Sequence, residues 1–320
     1  MRGVDPQDLE AALLGAPCEL DRDEVAGLAR IDEREARGLW TAMGFAEVPP
    51  GEKAFTHLDV EALQNALALR DLGVVDNDTL LVLARSMGQG LARMAEAQVD
   101  IFRGLSDGTT LDEATLAAAD VLPRLEKIVV HIWRRQFAAA TARALVAATE
   151  DGQLLLAVGF VDLVDFTRST QQWDVSTLER LLERFESETS LRVTQVGGQV
   201  VKTLGDAVLY VCDDPGAAVE VALQTVEAHA ADEELPEVRA GVALGPVLVR
   251  LGDVFGQPVN IASRLTEQAR PRTVLVDERT SQALADDGSY DLQRLRRRSV
   301  RGYRSLTPYL LRRVGAPQER

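Results

Sequence analysis

The hydrophobic pattern changes period at Leu154, and the change divides the chain into two kinds of structure. Before it, up to about residue 122, apolar residues recur three and four apart with few β-branched runs, the spacing of amphipathic helices. After it the apolar runs are short and strand-like. Leu154–Val164, Gln199–Leu204, Ala207–Val211, Val238–Leu244, Val247–Leu251, Thr273–Val276 and Tyr309–Val314 read as strands. Leu178–Val193, Ala217–His229 and Asn260–Gln268 read as helices between them. Alternation of this kind predicts an α/β or α+β sandwich. The expectation is therefore two domains: an all-α half at 1–122, a linker helix at 123–152, and an α/β half at 153–320.

Within the helical half, Asp21 or Asp23 and then Asp32 stand where N-caps would accept the free amides of a first turn. Pro49-Pro50-Gly51 breaks the pattern, and Phe55–Leu72 resumes it as another amphipathic helix. Two short helices at 20–45 suggest a DNA-binding helix–turn–helix. Charge argues against it: residues 1–50 hold five Arg and no Lys against eleven Asp and Glu, and phosphate repels such a surface. The whole chain, at formal net charge −15, points the same way, so no nucleic-acid partner is expected. A few placed basic groups and metal ions still suffice for one nucleotide.

From Pro123 to Gly152 there is no other Pro or Gly, and Val129, Trp133, Phe137, Ala140 and Ala144 form one apolar stripe. A helix this long between two unlike regions reads as a linker that transmits movement or pairs with its twin; one more core helix is the alternative. No apolar run approaches the roughly 20 residues of a membrane span, and the N-terminus has no signal-peptide pattern. The two cysteines, Cys18 and Cys212, set up neither a disulfide framework nor a metal spacing, and Cys212 reads as a core residue. A cytoplasmic location fits.

Two carboxylates stand where strands should be apolar. Asp162 interrupts the run from Val158 to Val164, and Asp206 follows Gly205 at the tip of a hairpin. A carboxylate in such a place is costly unless paired, and a hard divalent cation is one partner. A turn Asp and a hydrogen-bonded, partly buried Asp are the plain alternatives.

Context adds weight. Phe160-Val161-Asp162-Leu163-Val164-Asp165-Phe166-Thr167, Lys202-Thr203-Leu204-Gly205-Asp206-Ala207 and Gly252-Asp253-Val254-Phe255-Gly256-Gln257-Pro258-Val259-Asn260-Ile261-Ala262-Ser263-Arg264 follow one another in order. Together they resemble the motifs of class III nucleotidyl cyclases. The resemblance covers about half the chain, from Leu154 to Val314. It implies a ferredoxin-like βαββαβ catalytic domain and conversion of ATP to 3′,5′-cyclic AMP.

The resemblance also implies roles. Asp162 and Asp206 would hold two Mg2+ or Mn2+ ions per site, a clamp for in-line displacement by the substrate's own ribose hydroxyl. Asn260 and Arg264 share a helix face; Asn260 would orient the ribose, and Arg264 would donate to the α-phosphate with a fork that Lys lacks. Lys202 and Asp253 would read adenine, donor to N1 and acceptor from the 6-amino group, a pattern that guanine inverts. Arg301, in Ser299-Val300-Arg301-Gly302-Tyr303, stands where the family often has a triphosphate-binding Lys. Asp165 is a turn acid. Because the chain carries both half-sets of residues, a head-to-tail homodimer would complete two equivalent sites.

The helical half resembles, more loosely, a regulatory domain of actinobacterial-type cyclases in which pH sensing is described; Arg37–Phe45 and His131–Gln136 carry that likeness. Of the three histidines, His57, His131 and His229, His131 lies in the linker helix. Protonation there would bias the dimer, with a hydrogen-bonded helix histidine as the alternative. A small apolar ligand among the N-terminal helices is a further regulatory input open at this point. The rival to catalysis is a nucleotide-binding or dimerising signalling module on the same fold. The presence of all six metal, base, ribose and phosphate residues weighs against it, and the Gly-Gly-acidic hairpin of diguanylate cyclases is absent.

Overall fold

The period change at Leu154 coincides with a change of architecture in a computed structural model, which describes residues 6–105, 111–147, 154–166, 173–300 and 303–315. Contacts divide the chain into two units, Met1–Ala140 and Thr141–Arg320.

The first unit runs through α1 (Pro6–Leu14), α2 (Arg22–Ala29), α3 (Glu33–Ala42), α4 (His57–Asp71), α5 (Asn77–Leu105) and most of α6 (Leu111–Ala147), whose last turns fall past Ala140. Caps set the starts. Asp21, rather than Asp23, accepts from the amides of Asp23 and Glu24, and Glu24 accepts in turn from the Asp21 amide. Asp32 accepts from Glu35, and Thr56 caps α4. The core is Val25, Leu39, Phe55, Leu63 and Leu67. Gly88 permits α5 to lie against the end of α3, since a Cβ there would sit 2.0 Å from the Met43 carbonyl oxygen. Pro123, read as a helix start, lies inside α6. It removes one internal hydrogen bond there without ending the helix.

The second unit orders its elements as β1 (Leu154–Leu163), α7 (Val175–Gln195), β2 (Gln199–Leu204), β3 (Ala207–Cys212), α8 (Pro215–Ala231) and β4 (Val238–Arg250), the βαββαβ pattern. There follow β5 (Asp253–Phe255), α9 (Gln257–Gln268), β6 (Val274–Val276), α10 (Glu278–Ala283), β7 (Tyr290–Arg294), β8 (Arg298–Val300), β9 (Tyr303–Leu306) and β10 (Tyr309–Arg313). The main sheet runs β2-β3-β1-β4-β6-β10-β7, with β5 on β4; β8 and β9 form a separate hairpin.

β1 is central and buried on both faces, which is why its sequence is nearly all apolar. Ala157, Val161 and Leu163 join Phe185 of α7 and Val219 and Val226 of α8. Leu156, Val158 and Phe160 face the other way, with Ala262 of α9. Cys212 is buried in the first of these layers, and burial pushes its thiol up to about 12. Two glycines set the layer spacing. A Cβ at Gly241 would lie 2.5 Å from the Ala262 oxygen and 2.5 Å from the Thr266 nitrogen, so α9 rests directly on the β4 backbone. A Cβ at Gly159 would lie 2.1 Å from the Tyr210 ring, whose hydroxyl donates to the Ala218 carbonyl at 2.7 Å.

One correction concerns β4. Gly245-Pro246 suggests two strands, but a single strand runs through it. Pro246 pairs with Leu155 of β1 where β4 has no second neighbour among the described residues, so its missing N–H breaks no ladder on that side.

Candidate active site

Alternation along β1 turns Asp162 to the α9 side of the sheet, beyond Phe160. In register it stands between Ala207 of β3 and Arg239 of β4. The Leu163 amide donates to the Asp206 carbonyl at 2.9 Å, so β1 pairs right up to the β2–β3 turn. Gly205 takes φ +67 in that turn, and Asp206 follows it. The two acids thus share one corner of the sheet.

The electrostatics of the corner follow from this placement. Burial pushes the Asp162 carboxyl above its ordinary range; Arg239 opposes the rise, and the charges of Asp206 and Glu267 add to it. The Arg239 Nε and Nη2 reach Asp162 Oδ2 at 2.8 and 2.7 Å. Both contacts fall on one oxygen. Arg239 Nη1 also donates to the Glu267 carbonyl at 3.3 Å, tying the corner to the last turn of α9.

A second group lies on β2, β5 and α9. Lys202 Nζ meets Asp253 Oδ2 at 2.6 Å, and the Val254 amide donates to Asp253 Oδ1 at 2.9 Å. The Lys202 ammonium holds the Asp253 carboxyl below the usual carboxylate range. Asn260 and Arg264 stand one turn apart on α9, Asn260 exposed. Arg264 Nη1 is turned onto both Glu267 oxygens, at 2.7 and 2.6 Å. Among the described residues no hydrogen bond or ion pair joins Asp162 or Asp206 to Lys202, Asn260 or Arg264 within one chain. Arg301 lies outside the described residues. Asp165 is exposed at φ +55, a left-handed turn position that Asp tolerates. His131 is exposed on α6.

Two partners escape the sequence reading. Arg239 carries the same signal as Asp162, a charge inside an apolar strand, but its meeting with Asp162 rests on β1–β4 register. Glu267 looks like any exposed helix acid, and only its position three residues after Arg264 hints at a pair.

The model of the adenylate and guanylate cyclase catalytic domain matches residues 153–313. An adenylate cyclase of Streptomyces coelicolor is 39% identical, over 97% of this chain and 91% of that protein. One of Streptomyces griseus is 40% identical, over 89% of this chain and 75% of that protein. A pH-sensitive adenylate cyclase of Mycobacterium tuberculosis is 31% identical, over 80% of this chain and 68% of that protein. Matched across its catalytic half, and aligned nearly end to end with the first of these relatives, the chain belongs to the class III family of adenylate and guanylate cyclases.

Proposed function

We propose that the protein is an adenylate cyclase that converts ATP to 3′,5′-cyclic AMP and pyrophosphate in a head-to-tail homodimer. The observation that carries this reading is the placement of Asp162, at the end of β1, beside the β2–β3 turn that holds Asp206. Among the described residues no group of three or more His, Cys, Asp or Glu forms a complete ion cage. Two carboxylates completed by substrate phosphates are the donor set that Mg2+ or Mn2+ takes in nucleotide sites, so the residues fit two such ions. When bound, these ions would acidify the ribose 3′-hydroxyl and balance charge on the triphosphate.

The chain's own residues do the rest. Arg239 favours the ionised form of Asp162 and fixes its rotamer through Oδ2. Lys202 donates to adenine N1 and Asp253 accepts from the 6-amino group, so the ion pair they make with each other keeps both side chains together for the base. Asn260 orients the ribose. Arg264 exchanges Glu267 for the α-phosphate, where negative charge builds during displacement. Arg301 binds the triphosphate.

The separation of the two half-sets within one chain supports the homodimer, in which one protomer's carboxylates meet its partner's α9. The outer face of α6 supports it too: Ile128, Ile132, Trp133 and Phe137 are exposed along that helix, a stripe suited to pairing with its twin. Regulation is assigned to the helical half, with 1–122 as the regulatory domain, 123–152 as the linker and 153–320 as the catalytic domain. His131, exposed on α6, is assigned as the regulatory histidine. The pH-sensitive relative supports that input. A cavity of about 300 Å³, lined by Trp40, Phe45 and Phe55 with Arg22 and Arg37 among its residues, supports a small apolar ligand as another. No described helix is long and apolar enough to cross a membrane, in keeping with a cytoplasmic enzyme.

Cyclic AMP production by the full chain, with Mn2+ and either ATP or GTP, tests the reading from mildly acid to mildly alkaline pH. ATP turnover that disappears in Asp162→Asn and Asp206→Asn is expected. A dimer that binds ATP without forming product would instead identify a nucleotide-binding module. A His131→Ala curve identical to wild type would remove the proton switch.

A further inference from the structure

The strand ends of β6 and β10 enclose a cavity of about 630 Å³. Its lining includes Arg270, Arg272, Arg296, Arg312 and Arg313, with Glu227 as the lining carboxylate. In a chain of formal net charge −15 such a concentration of guanidinium groups is against the overall trend. Acids account for two of them, Glu227 of the lining among these. Arg313 spans both Glu220 oxygens at 2.9 and 2.7 Å and reaches Glu227 at 2.8 Å; Arg272 meets Glu237 at 2.7 Å. Arg270, Arg296 and Arg312 form no ion pair among the described residues, although Asp291 stands opposite Arg312 in register. Mutual repulsion of these cations in a shared concavity costs stability unless an anion offsets it.

Register ties the cavity to the carboxylate corner. Asp162 pairs with Arg239, Ala240 with Val274, and Val274 with Leu311. Val238, Ala240, Val274 and Leu311 share one face, so alternation turns Arg239 and Arg312 to the other, together with Asp162. Arg312 is two strands beyond Arg239, about 10 Å at ordinary strand spacing. Arg312 thus lies on the face of the sheet that carries the corner, whereas Arg313, one residue on, turns to the α8 face, where Leu223, Val226 and Glu227 also line the cavity.

We propose that this cavity is a second anion site, separate from the carboxylate corner, that takes a short polyphosphate chain. Guanidinium forks match phosphate oxygens two at a time, which gives the chemistry its preference over monovalent anions. Two sources share that chemistry: the pyrophosphate that the reaction releases, and the phosphate tail of a free nucleotide. The first source rests on the cyclase reading; binding itself does not.

Calorimetric titration of inorganic pyrophosphate into the full chain, with a chelator present and no divalent metal, tests the site. One pyrophosphate per chain is expected, with affinity at least about tenfold weaker in Arg270→Gln/Arg312→Gln, the scale of losing a charge-assisted pair. Thermal melts check that the double variant is folded, and Arg270→Gln alone, an exposed position, serves if it is not. With Mn2+ and ATP, pyrophosphate should inhibit in a mixed manner in the wild type and competitively in the variant, whose kcat and KM for ATP are unchanged. Titration of a non-hydrolysable ATP analogue under the chelated conditions separates the sources. Displacement of pyrophosphate by the analogue assigns a nucleotide tail, and its failure to displace assigns the released product. Absence of pyrophosphate binding in the wild type, or equal binding in the variant, overturns the proposal. A wild type that forms no cyclic AMP refutes the cyclase reading while leaving the calorimetric result to decide the site.

Discussion

Replacing Lys202 with Met separates what the Lys202–Asp253 pair does for folding from what it does for base recognition. The side chains retain 40% and 32% of their exposure, so water screens their attraction. A pair this exposed contributes less than about 1 kcal/mol, or a Tm shift below roughly 4 °C for a unit of this size. On the proposed base reading the same ammonium donates to adenine N1 in the bound state, and losing it would leave that acceptor unpaired. That costs about 1–3 kcal/mol, roughly a 5- to 160-fold loss in kcat/KM for ATP. GTP, which offers a donor at N1, should lose much less, so the ATP:GTP ratio should collapse. Steady-state kinetics with both nucleotides, alongside thermal melts, measure each effect separately. An unchanged ATP:GTP ratio in Lys202→Met would refute base reading by this pair. A Tm drop of many degrees would show instead that the pair is structural.

Asp206→Asn removes a charge that pushes Asp162 up, so its Tm should equal or exceed wild type while turnover falls roughly 10²–10³-fold, the scale of losing one preorganised charge group. Gly241→Ala places a Cβ 2.5 Å from the backbone of α9; the strain should cost about 1–3 kcal/mol and, by shifting Asn260 and Arg264, lower kcat more than it raises KM. His229 donates through Nδ1 to the Pro236 carbonyl at 2.7 Å while its buried Nε2 meets no hydrogen-bond partner among the described residues, and burial holds its pKa below the ordinary value. The neutral form is the folded form, so His229 contributes stability that is full above about pH 6.5 and is lost as pH falls through its folded value. His229→Gln should therefore lose less Tm than wild type as pH falls from neutral to about two units below it, and equal losses would remove His229 from the acid sensitivity.

Local physics is what the amino-acid sequence displays most clearly. Asp21, Asp32 and Thr56 start helices because short polar side chains accept free amides; Asp32 is recognisable as a cap from its position alone, whereas position leaves Asp21 and Asp23 level and the hydrogen bonds to the Asp23 and Glu24 amides decide for Asp21. The β1 run is legible because a strand buried on both faces has to be apolar throughout, and that same rule exposes Asp162. Short elements are hard to read: β5 is three residues long, and β7, Tyr-Asp-Leu-Gln-Arg, offers only Tyr290 and Leu292 as an alternating apolar pair, too few to mark a strand. Pro246 misleads because a proline's effect depends on whether its edge of the strand is paired. Arg239 and Glu267 are hidden for a related reason. Their importance lies in which strand or turn they meet, and one strand's sequence carries no record of its neighbour's register. The arginines of the second cavity come from three separated stretches of chain and converge only through the sheet.

Counting bound Mn2+ by electron paramagnetic resonance, on the full chain with a non-reactive ATP analogue, goes to the centre of the account. Two ions per protomer are predicted, with both sites weakened in Asp162→Asn and in Asp206→Asn. Unchanged Mn2+ stoichiometry and affinity in both variants would contradict it.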